Sequence, residues 1–316
     1  MTTVQILMAV YNGKPYLAEQ LDSIIAQSFS DWELLVSDDN SSDGSIEIVQ
    51  DYCKRDPRIH IVLQDEHYGS AKSHFMALTK EADAPYVMYA DQDDVWDPDK
   101  ISLTLKELKT AEMQGGVNPP LLACTDLRLV DNNLRPISPS LLEYSNMDAS
   151  KLDFGYFLAS CLVTGCTMMI NRSLLLLLQE DCNEDHIMMH DWWASLVASA
   201  FGKVIYLNTQ TISYRQHGDN SVGAVKFSLD AAIKSLKQRA DVENAAITQA
   251  EELIYVYGDK LNPQRRRQAE ALISARDKRP LGKFVALTKA NAWRKGFMRN
   301  AATYLSFLMI AGETTD

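Results

Sequence analysis

Two clusters of acids have the composition and spacing for phosphate or metal chemistry. SDDNSSDGS carries Asp38, Asp39 and Asp43, and YADQDDVWDPD carries Asp91, Asp93, Asp94, Asp97 and Asp99. Asp91, Asp93 and Asp94 repel one another unless protons or a cation offset the charge. A hard divalent ion that also holds a phosphate is a common answer to such crowding. The second cluster is therefore a candidate site for metal-held phosphate, with a purely structural turn as the alternative. The first has a plainer reading beside the functional one, because Asp, Asn, Ser and Gly also make turns and helix caps.

The elements that must position these acids are legible in the apolar periodicity. Through residue 114 short β-branched or Leu-rich runs alternate with segments of helical period, the signature of βαβ units. VQILMAVY precedes a helix with Leu17, Leu21, Ile24 and Ile25 on one face, and WELLVSDD precedes a helix around Ile46 to Tyr52. IHIVLQ, a helix from about Ser70 to Glu81, YVMYADQDD and a helix through Ile101, Leu105 and Leu108 continue the series, with Asp97 as N-cap and Pro98 in the first turn of the last helix. Strands with so little charge are buried on both faces, which predicts a mostly parallel sheet with right-handed crossovers. Ligands of such sheets sit outside the carboxyl ends of the strands, where both acid clusters fall.

Beyond GGVNPP, the runs LLACTDLRLV, CTMMI and VIYLNTQTISYR read as further strands around a helix beginning near Asp191. From about Gly223 the pattern turns helical, with Leu229, Ile233, Leu236 and Ala240 followed by Ile247, Ala250, Ile254 and Tyr257. The expected division is residues 1–222 as an α/β domain and 223–316 as an α-helical region.

Composition narrows the function classes. The 316 residues are 46% hydrophobic and 23% charged, enough for a substantial core, and a net charge of -11 argues against a nucleic-acid partner. The five scattered cysteines fit reduced thiols, and no C-x-x-C pair supports a zinc cage of Cys161, Cys166, Cys182 and His190. No cleavable apolar leader is visible, so a cytoplasmic chain is expected. The uncharged run FGYFLASCLVTGCTMMIN is near the lower length limit for a membrane span, but its composition and central TG break suit a buried helix followed by a buried strand. Neither G-x-x-x-x-G-K-[ST] nor G-x-G-x-x-G after the first strand is present, so phosphate would have to be held through metal.

VYN after the first strand, DDNSSDGS after the second and DQDD after the fourth together resemble the family-two glycosyltransferases of the GT-A fold. DQDDVW in particular resembles bacterial polysaccharide enzymes that include rhamnosyltransferases. The resemblance covers residues 4 to about 221. It implies that Val10, Tyr11, Asn12 and Gln92 line a nucleotide sugar, that Asp39 accepts from the imide of uracil or thymine, and that Asp91 lies by the ribose. It implies Asp93 as ligand of Mg²⁺ or Mn²⁺, and His217 or Arg215, in YRQHGDNSVG, as a further metal ligand or diphosphate contact. Ala9 stands where the family usually has Pro, in a stretch whose contacts are mainly backbone. MMHDWW offers Asp191 as the base, with His190 in place of the usual Glu and Trp192 following; a plain N-cap is the other reading of Asp191. Thr164, Gly165 and Cys166 resemble the acceptor-side loop.

The implied activity is inverting, metal-dependent transfer of a sugar to a hydroxyl of a bacterial surface glycan, lipid-linked or free. dTDP-L-rhamnose is the first donor suggested and UDP-hexoses the alternative. A non-catalytic scaffold of the same fold is the rival of another class, and a nucleotidyltransferase would need a basic Gly-rich loop that AVYNGKPY does not provide. Residues 264–299 hold eleven Lys or Arg against Glu270 and Asp277, a local charge of +9. Phe284, Val285, Leu287, Trp293, Phe297 and Met298 interleave with Lys283, Lys289, Arg294, Lys295 and Arg299 there, so residues 264–312 are expected either to lie on an anionic membrane surface or to pack on this or another subunit.

Overall fold

The computed structural model describes residues 2–64, 66–116, 118–216, 236–294 and 296–310. It divides into two compact units, one of Met1–Ser145, Val163–Gln179 and Lys203–Val225, the other of Asn146–Leu162, Glu180–Gly202 and Lys226–Asp316. Compactness thus follows a different line from a single boundary at 222. The second unit takes in two earlier segments as well as the C-terminal helices.

Among the described residues the first unit is built on a nine-stranded sheet. Strands β1 (Val4–Val10), β2 (Trp32–Asp38), β3 (Ile59–Ile61) and β4 (Tyr86–Ala90) pair in parallel in the order β3-β2-β1-β4. β1 lies between β2 and β4 and is buried on both faces of the sheet, as strands of a parallel sheet covered by helices are. The other strands are β5 (Val95–Trp96), β6 (Leu121–Val130), β7 (Pro136–Ser138), β8 (Met168–Asn171) and β9 (Lys203–Arg215). Here the sheet turns mixed: β8 is antiparallel to both β4 and β6, β5 is antiparallel to β9 and β7 to β6, while β6 and β9 are parallel. The parallel pairing expected of a mostly parallel sheet is concentrated in the first half, where helical crossovers join the strands. The second half departs from it.

Helix α1 (Lys14–Ile25) starts with Pro15 in its first turn and buries Leu17, Leu21 and Ile24. α2 (Ser45–Arg55) and α3 (Ala71–Glu81) follow, the latter capped by Ser70, whose hydroxyl accepts from Ser73 N at 3.2 Å. α4 (Lys100–Gln114) begins after Asp99, two residues later than the sequence suggested. Asp97 instead pairs with Arg128, and its backbone N–H bonds Thr211 O. α5 (Leu141–Tyr144) and α7 (Arg172–Leu178) complete this unit, whose core includes Ile6, Met8, Leu34, Val36, Met88 and Leu105.

The second unit contains α6 (Phe154–Ala159), α8 (His190–Phe201), α9 (Leu236–Tyr257), α10 (Pro263–Ile273), α11 (Pro280–Ala290) and α12 (Phe297–Met309). The Tyr257 ring of α9 stacks on Trp193 and meets Phe201 edge-on, at 6.0 and 5.4 Å between centroids. The uncharged run from residue 154 to 171 is the buried α6, a 3₁₀ turn and β8, and no helix among the described residues is long and apolar enough to cross a membrane. Lys283, expected among the surface cations, is 4% exposed because its ammonium donates to Phe307 O and Ile310 O at the end of α12. Leu229 and Ile233 lie outside the described residues.

Candidate active site

Register sets the site. Val10 pairs with Asp38 and Met8 with Ala90, so β1, β2 and β4 end at one edge and deliver Tyr11, Asp39 and Asp91 there as their next residues. The loops are then tied to one another. The Gln92 amide makes a two-way clasp with Tyr11, accepting from its N–H and donating to its carbonyl, each at 2.9 Å. A Cβ on Gly13 would overlap that amide, which explains glycine at this position. Asn12 accepts from Ser42 N at 2.9 Å while its own N–H bonds Ser41 Oγ at 2.8 Å. Gln92 and Asn12 thus hold the loops, and of the three β1-loop candidates Val10 is buried and Tyr11 is exposed.

The first acid cluster divides its labour. Asp38 accepts from Ser41 N at 2.9 Å, and Asp43 accepts from Lys14 N at 3.0 Å and Ser45 N at 2.9 Å, as turn residues do. Asp39 is 5% exposed and accepts from Tyr68 N at 2.6 Å, Gly69 N at 3.0 Å and the His67 ring at 2.9 Å. A carboxylate has about four lone-pair sites, so Asp39 keeps capacity for one more donor, and the His67 side chain, 64% exposed, is a displaceable one. The Tyr68 ring stacks on the buried His74 at 4.6 Å. Sequence reasoning missed this His67–His74 segment, although it follows the third strand at the same edge.

The second cluster is an electrostatic centre. Asp94 is fully buried; its Oδ1 accepts weakly from Arg215 N at 3.3 Å, and its Oδ2 is buried without a hydrogen-bond partner among the described residues. Burial first, then the charges of Asp91 and Asp93, raise its carboxyl well above the usual carboxylate range. The antiparallel pairing of β8 with β4 brings Cys166 to this point, and ligand atoms of Asp91, Asp94 and Cys166 lie within 4.8 Å of one another. Asp93 is outside that tight group but close enough to act on Asp94. Burial, followed by Asp94 and Asp91, raises the Cys166 thiol well above its ordinary value, so it stays protonated. Gly165 and Cys166, expected on the acceptor side, are both buried, with Cys166 supporting the acids.

Lys100, which the sequence did not single out, is also fully buried, with its ammonium 4.8 Å from the Trp96 ring. Burial lowers its pKa to about 8, while Cys166 and Asp94 favour its charged form. Arg215 is 2% exposed and donates to Asp93 O at 2.8 Å, Asn132 O at 2.7 Å and Glu19 at 2.5 Å, so its guanidinium fixes the DQDD loop against α1. His217 lies outside the described residues.

The donor set fits a hard divalent cation. Asp91, Asp93 and Asp94 offer carboxylate oxygens, one of them buried and without a hydrogen-bond partner among the described residues, and their mutual repulsion is what a cation relieves. The protonated thiol is not a ligand for such an ion.

Asp191 and Trp192 belong to the second unit. α8 is capped at Met189, so Asp191 stands in the first turn and is not the N-cap. Its carboxylate accepts from Trp192 N at 2.6 Å, and its carbonyl accepts from Ser195 Oγ at 2.7 Å. The adjacent His190 is buried, which lowers its pKa to about 3 and keeps the ring neutral.

Residues 5–176, more than half of the chain, match the family model described as glycosyl transferase family 2. The chain belongs to that family. As a family-two glycosyltransferase it is 29% identical over 247 residues to the dTDP-rhamnosyl transferase RfbG of Shigella flexneri, covering 72% of this chain and 78% of the relative. Its fold is similar to that of S. aureus TarS 1-349 in complex with UDP-GlcNAc, with a TM-score of 0.54 at 15% identity over 96% of this chain and 90% of that one. The mannosyltransferase PcManGT from Pyrobaculum calidifontis, in complex with GDP-Man and Mn²⁺, has the same TM-score of 0.54 at 18% identity, over 98% of this chain and 85% of that chain. These likenesses establish the GT-A glycosyltransferase fold.

Proposed function

We propose that this glycosyltransferase binds a nucleoside-diphosphate sugar at the carboxyl edge of β1, β2 and β4 and transfers the sugar, with inversion, to a hydroxyl of a bacterial cell-surface polysaccharide acceptor. The observation that carries this reading is the meeting at one sheet edge of Asp39 with the acids Asp91, Asp93 and Asp94. Asp39 has acceptor capacity for a pyrimidine imide N–H once His67 moves aside. The first donor is dTDP-L-rhamnose, supported by the name of the Shigella relative, and UDP-hexoses present the same imide. Asp91, Asp93 and Asp94 would hold Mg²⁺ or Mn²⁺, and the Mn²⁺ of the Pyrobaculum structure supports that choice. When bound, the cation neutralises charge developing on the departing diphosphate.

The residues of the chain do the rest. The Gln92 clasp and the Arg215 bonds hold the donor loops in place. Asp191 takes the acceptor proton as the hydroxyl oxygen bonds to the anomeric carbon and the bond to the diphosphate oxygen breaks, one displacement that inverts the centre. His190, neutral with a pKa of about 3, does not compete as base near neutral pH. We place the enzyme at the cytoplasmic leaflet, where a lipid-linked acceptor would be met. Exposed Leu281, Phe284, Phe297 and Met298 support that contact, a second copy of the chain being the other occupant.

The test is thermal shift with dTDP-, UDP- and GDP-sugars, with Mn²⁺ and with EDTA, followed by NMR of the product anomer. Pyrimidine donors should stabilise the protein in Mn²⁺ alone, by about 2.7 kcal/mol at a hundredfold excess over Kd. Stronger stabilisation by GDP-sugars, or a retained anomeric configuration, would overturn the proposal.

A further inference from the structure

The second unit contains a pocket of about 230 Å³ that the transfer chemistry above does not use. Arg294 and Arg299 line it together with Tyr156, Ser160, Cys161 and Trp192. Arg294 donates to Ala159 O at 2.9 Å and to the buried Glu243 at 3.1 Å, and its Nε is buried without a hydrogen-bond partner among the described residues. A third cation, Arg239, lies within the same field. Burial and then the charge of Arg294 hold both Arg239 and Arg299 below the usual guanidinium value. Glu243 faces this cluster, and burial raises its own carboxyl against the pull of Arg294 and Arg239. Positive charge collected in a concave, partly desolvated place, with two hydroxyls beside it, matches the donors that a phosphate recruits. The volume is several times the roughly 30 Å³ share of one water, so a phosphate group or a diphosphate has room.

The pocket is also coupled to the helix start that carries the proposed base. Trp192 in its wall is the next residue after Asp191, and its indole N–H is fixed by Phe157 O at 2.7 Å. The Cys161 thiol contacts Ser195 Oγ at 3.8 Å, and the same hydroxyl donates to Asp191 O. An anion held by Arg294 and Arg299 would therefore bring whatever it is attached to alongside the first turn of α8.

We infer that this pocket is a phosphate or diphosphate site and that, on the transferase reading above, it holds the diphosphate of a lipid-linked acceptor. The inference deepens the acceptor half of that reading. The same chemistry is offered by free diphosphate and by a prenyl diphosphate, so both are used as probes. Calorimetric titration of the full chain in EDTA, which removes metal-dependent binding at the DQDD loop, is made with inorganic diphosphate and with farnesyl diphosphate. Arg299→Met and Arg294→Met should each weaken both ligands tenfold or more, while Arg267→Met, the same charge change at an exposed position, should leave them unchanged. Should Arg294→Met fail to fold because Glu243 loses its partner, Arg299→Met alone decides.

Equal affinities in Arg299→Met and Arg267→Met overturn the site. So does farnesyl diphosphate binding that survives the arginine substitutions while inorganic diphosphate does not bind, since that is capture by the prenyl chain. Donor binding is followed separately, by titration of sugar nucleotides in Mn²⁺. If no sugar nucleotide binds, the transferase reading fails and the anion site still stands or falls on the titration in EDTA. If transfer occurs and Arg299→Met leaves the KM of a diphosphate-linked acceptor unchanged, the transferase reading survives and the acceptor assignment fails.

Discussion

Replacing His190 with Asn should flatten the fall of stability on acidification. The native ring has a pKa of about 3 because burial disfavours the imidazolium, whereas the unfolded chain has the ordinary 6.5. Above pH 6.5 the ring is neutral in both states and contributes nothing to pH dependence. Below 6.5 the unfolded chain takes up a proton that the native chain refuses, so stability is lost as pH falls, and the loss is complete near the native value of about 3. At 1.36 kcal/mol per unit, this histidine contributes about 2 kcal/mol of destabilisation between pH 7 and pH 5.

The measurement is urea unfolding of the natural chain and His190→Asn at several pH values from 7.5 to 5, followed by tryptophan fluorescence. Two of the five tryptophans, Trp192 and Trp193, sit on the same helix, so α8 contributes part of the signal. The substitution changes packing and hence absolute stability, but it leaves every other titrating group in place, so the difference in slope isolates His190. Parallel slopes would mean that the native imidazole accepts a proton near the ordinary value. The argument that His190 cannot serve as a base at neutral pH would then collapse.

Asp191→Asn should lower kcat by at least a hundredfold and leave donor affinity within twofold, whereas Asp93→Ala should weaken donor binding measured in Mn²⁺; equal losses of donor affinity contradict that division of roles. Gly13→Ala should force the Gln92 amide off Tyr11 and cost about 1–2 kcal/mol for two lost hydrogen bonds, and Gln92→Ala added to it should cost little more, a non-additivity that a double-mutant cycle in urea reads directly. Lys283→Met should leave the Phe307 and Ile310 carbonyls without that donor and destabilise the protein by about 1–3 kcal/mol, with faster amide exchange across Phe297–Met309 than elsewhere. Phe297→Asp with Leu281→Asp should abolish flotation with anionic liposomes if the exposed apolar face meets the bilayer; loss of a dimer in sedimentation instead assigns the face to a second copy.

What the sequence revealed and what it hid follow from the range of the forces involved. The strands and helices through residue 114 were legible because each buries a periodic apolar face, a property local to the chain. The gathering of Asp39 and the DQDD acids at one sheet edge was legible because parallel strand ends are where such residues collect. Lys100 was not: a lysine after Asp99 looks like an ordinary start of α4, and only the folding of β8 and β9 beside β4 and β5 shows that it is sealed in near Asp94 and Cys166. His67 and Tyr68 follow a three-residue strand with too little periodicity to predict which face a side chain takes.

The basic segment from 264 to 299 shows the same limit in its sharpest form. Composition reads its cations as a single class, facing a membrane or an acidic surface. The fold sorts them by what each meets: Lys283 closes the end of α12, Arg266 pairs with Glu270 on its own helix, and Arg294 turns inward to Glu243 and the pocket beside Trp192. A charge run fixes how many cations a region has, but whether one steers toward a bilayer or desolvates to grip an anion is decided by the carbonyls and carboxylates that tertiary packing puts within 3 Å or so of it. For this chain that sorting moves Arg294 and Arg299 from the surface to the side of Asp191's helix, leaving Leu281, Phe284, Phe297 and Met298 as the stronger argument for a contact at the exterior.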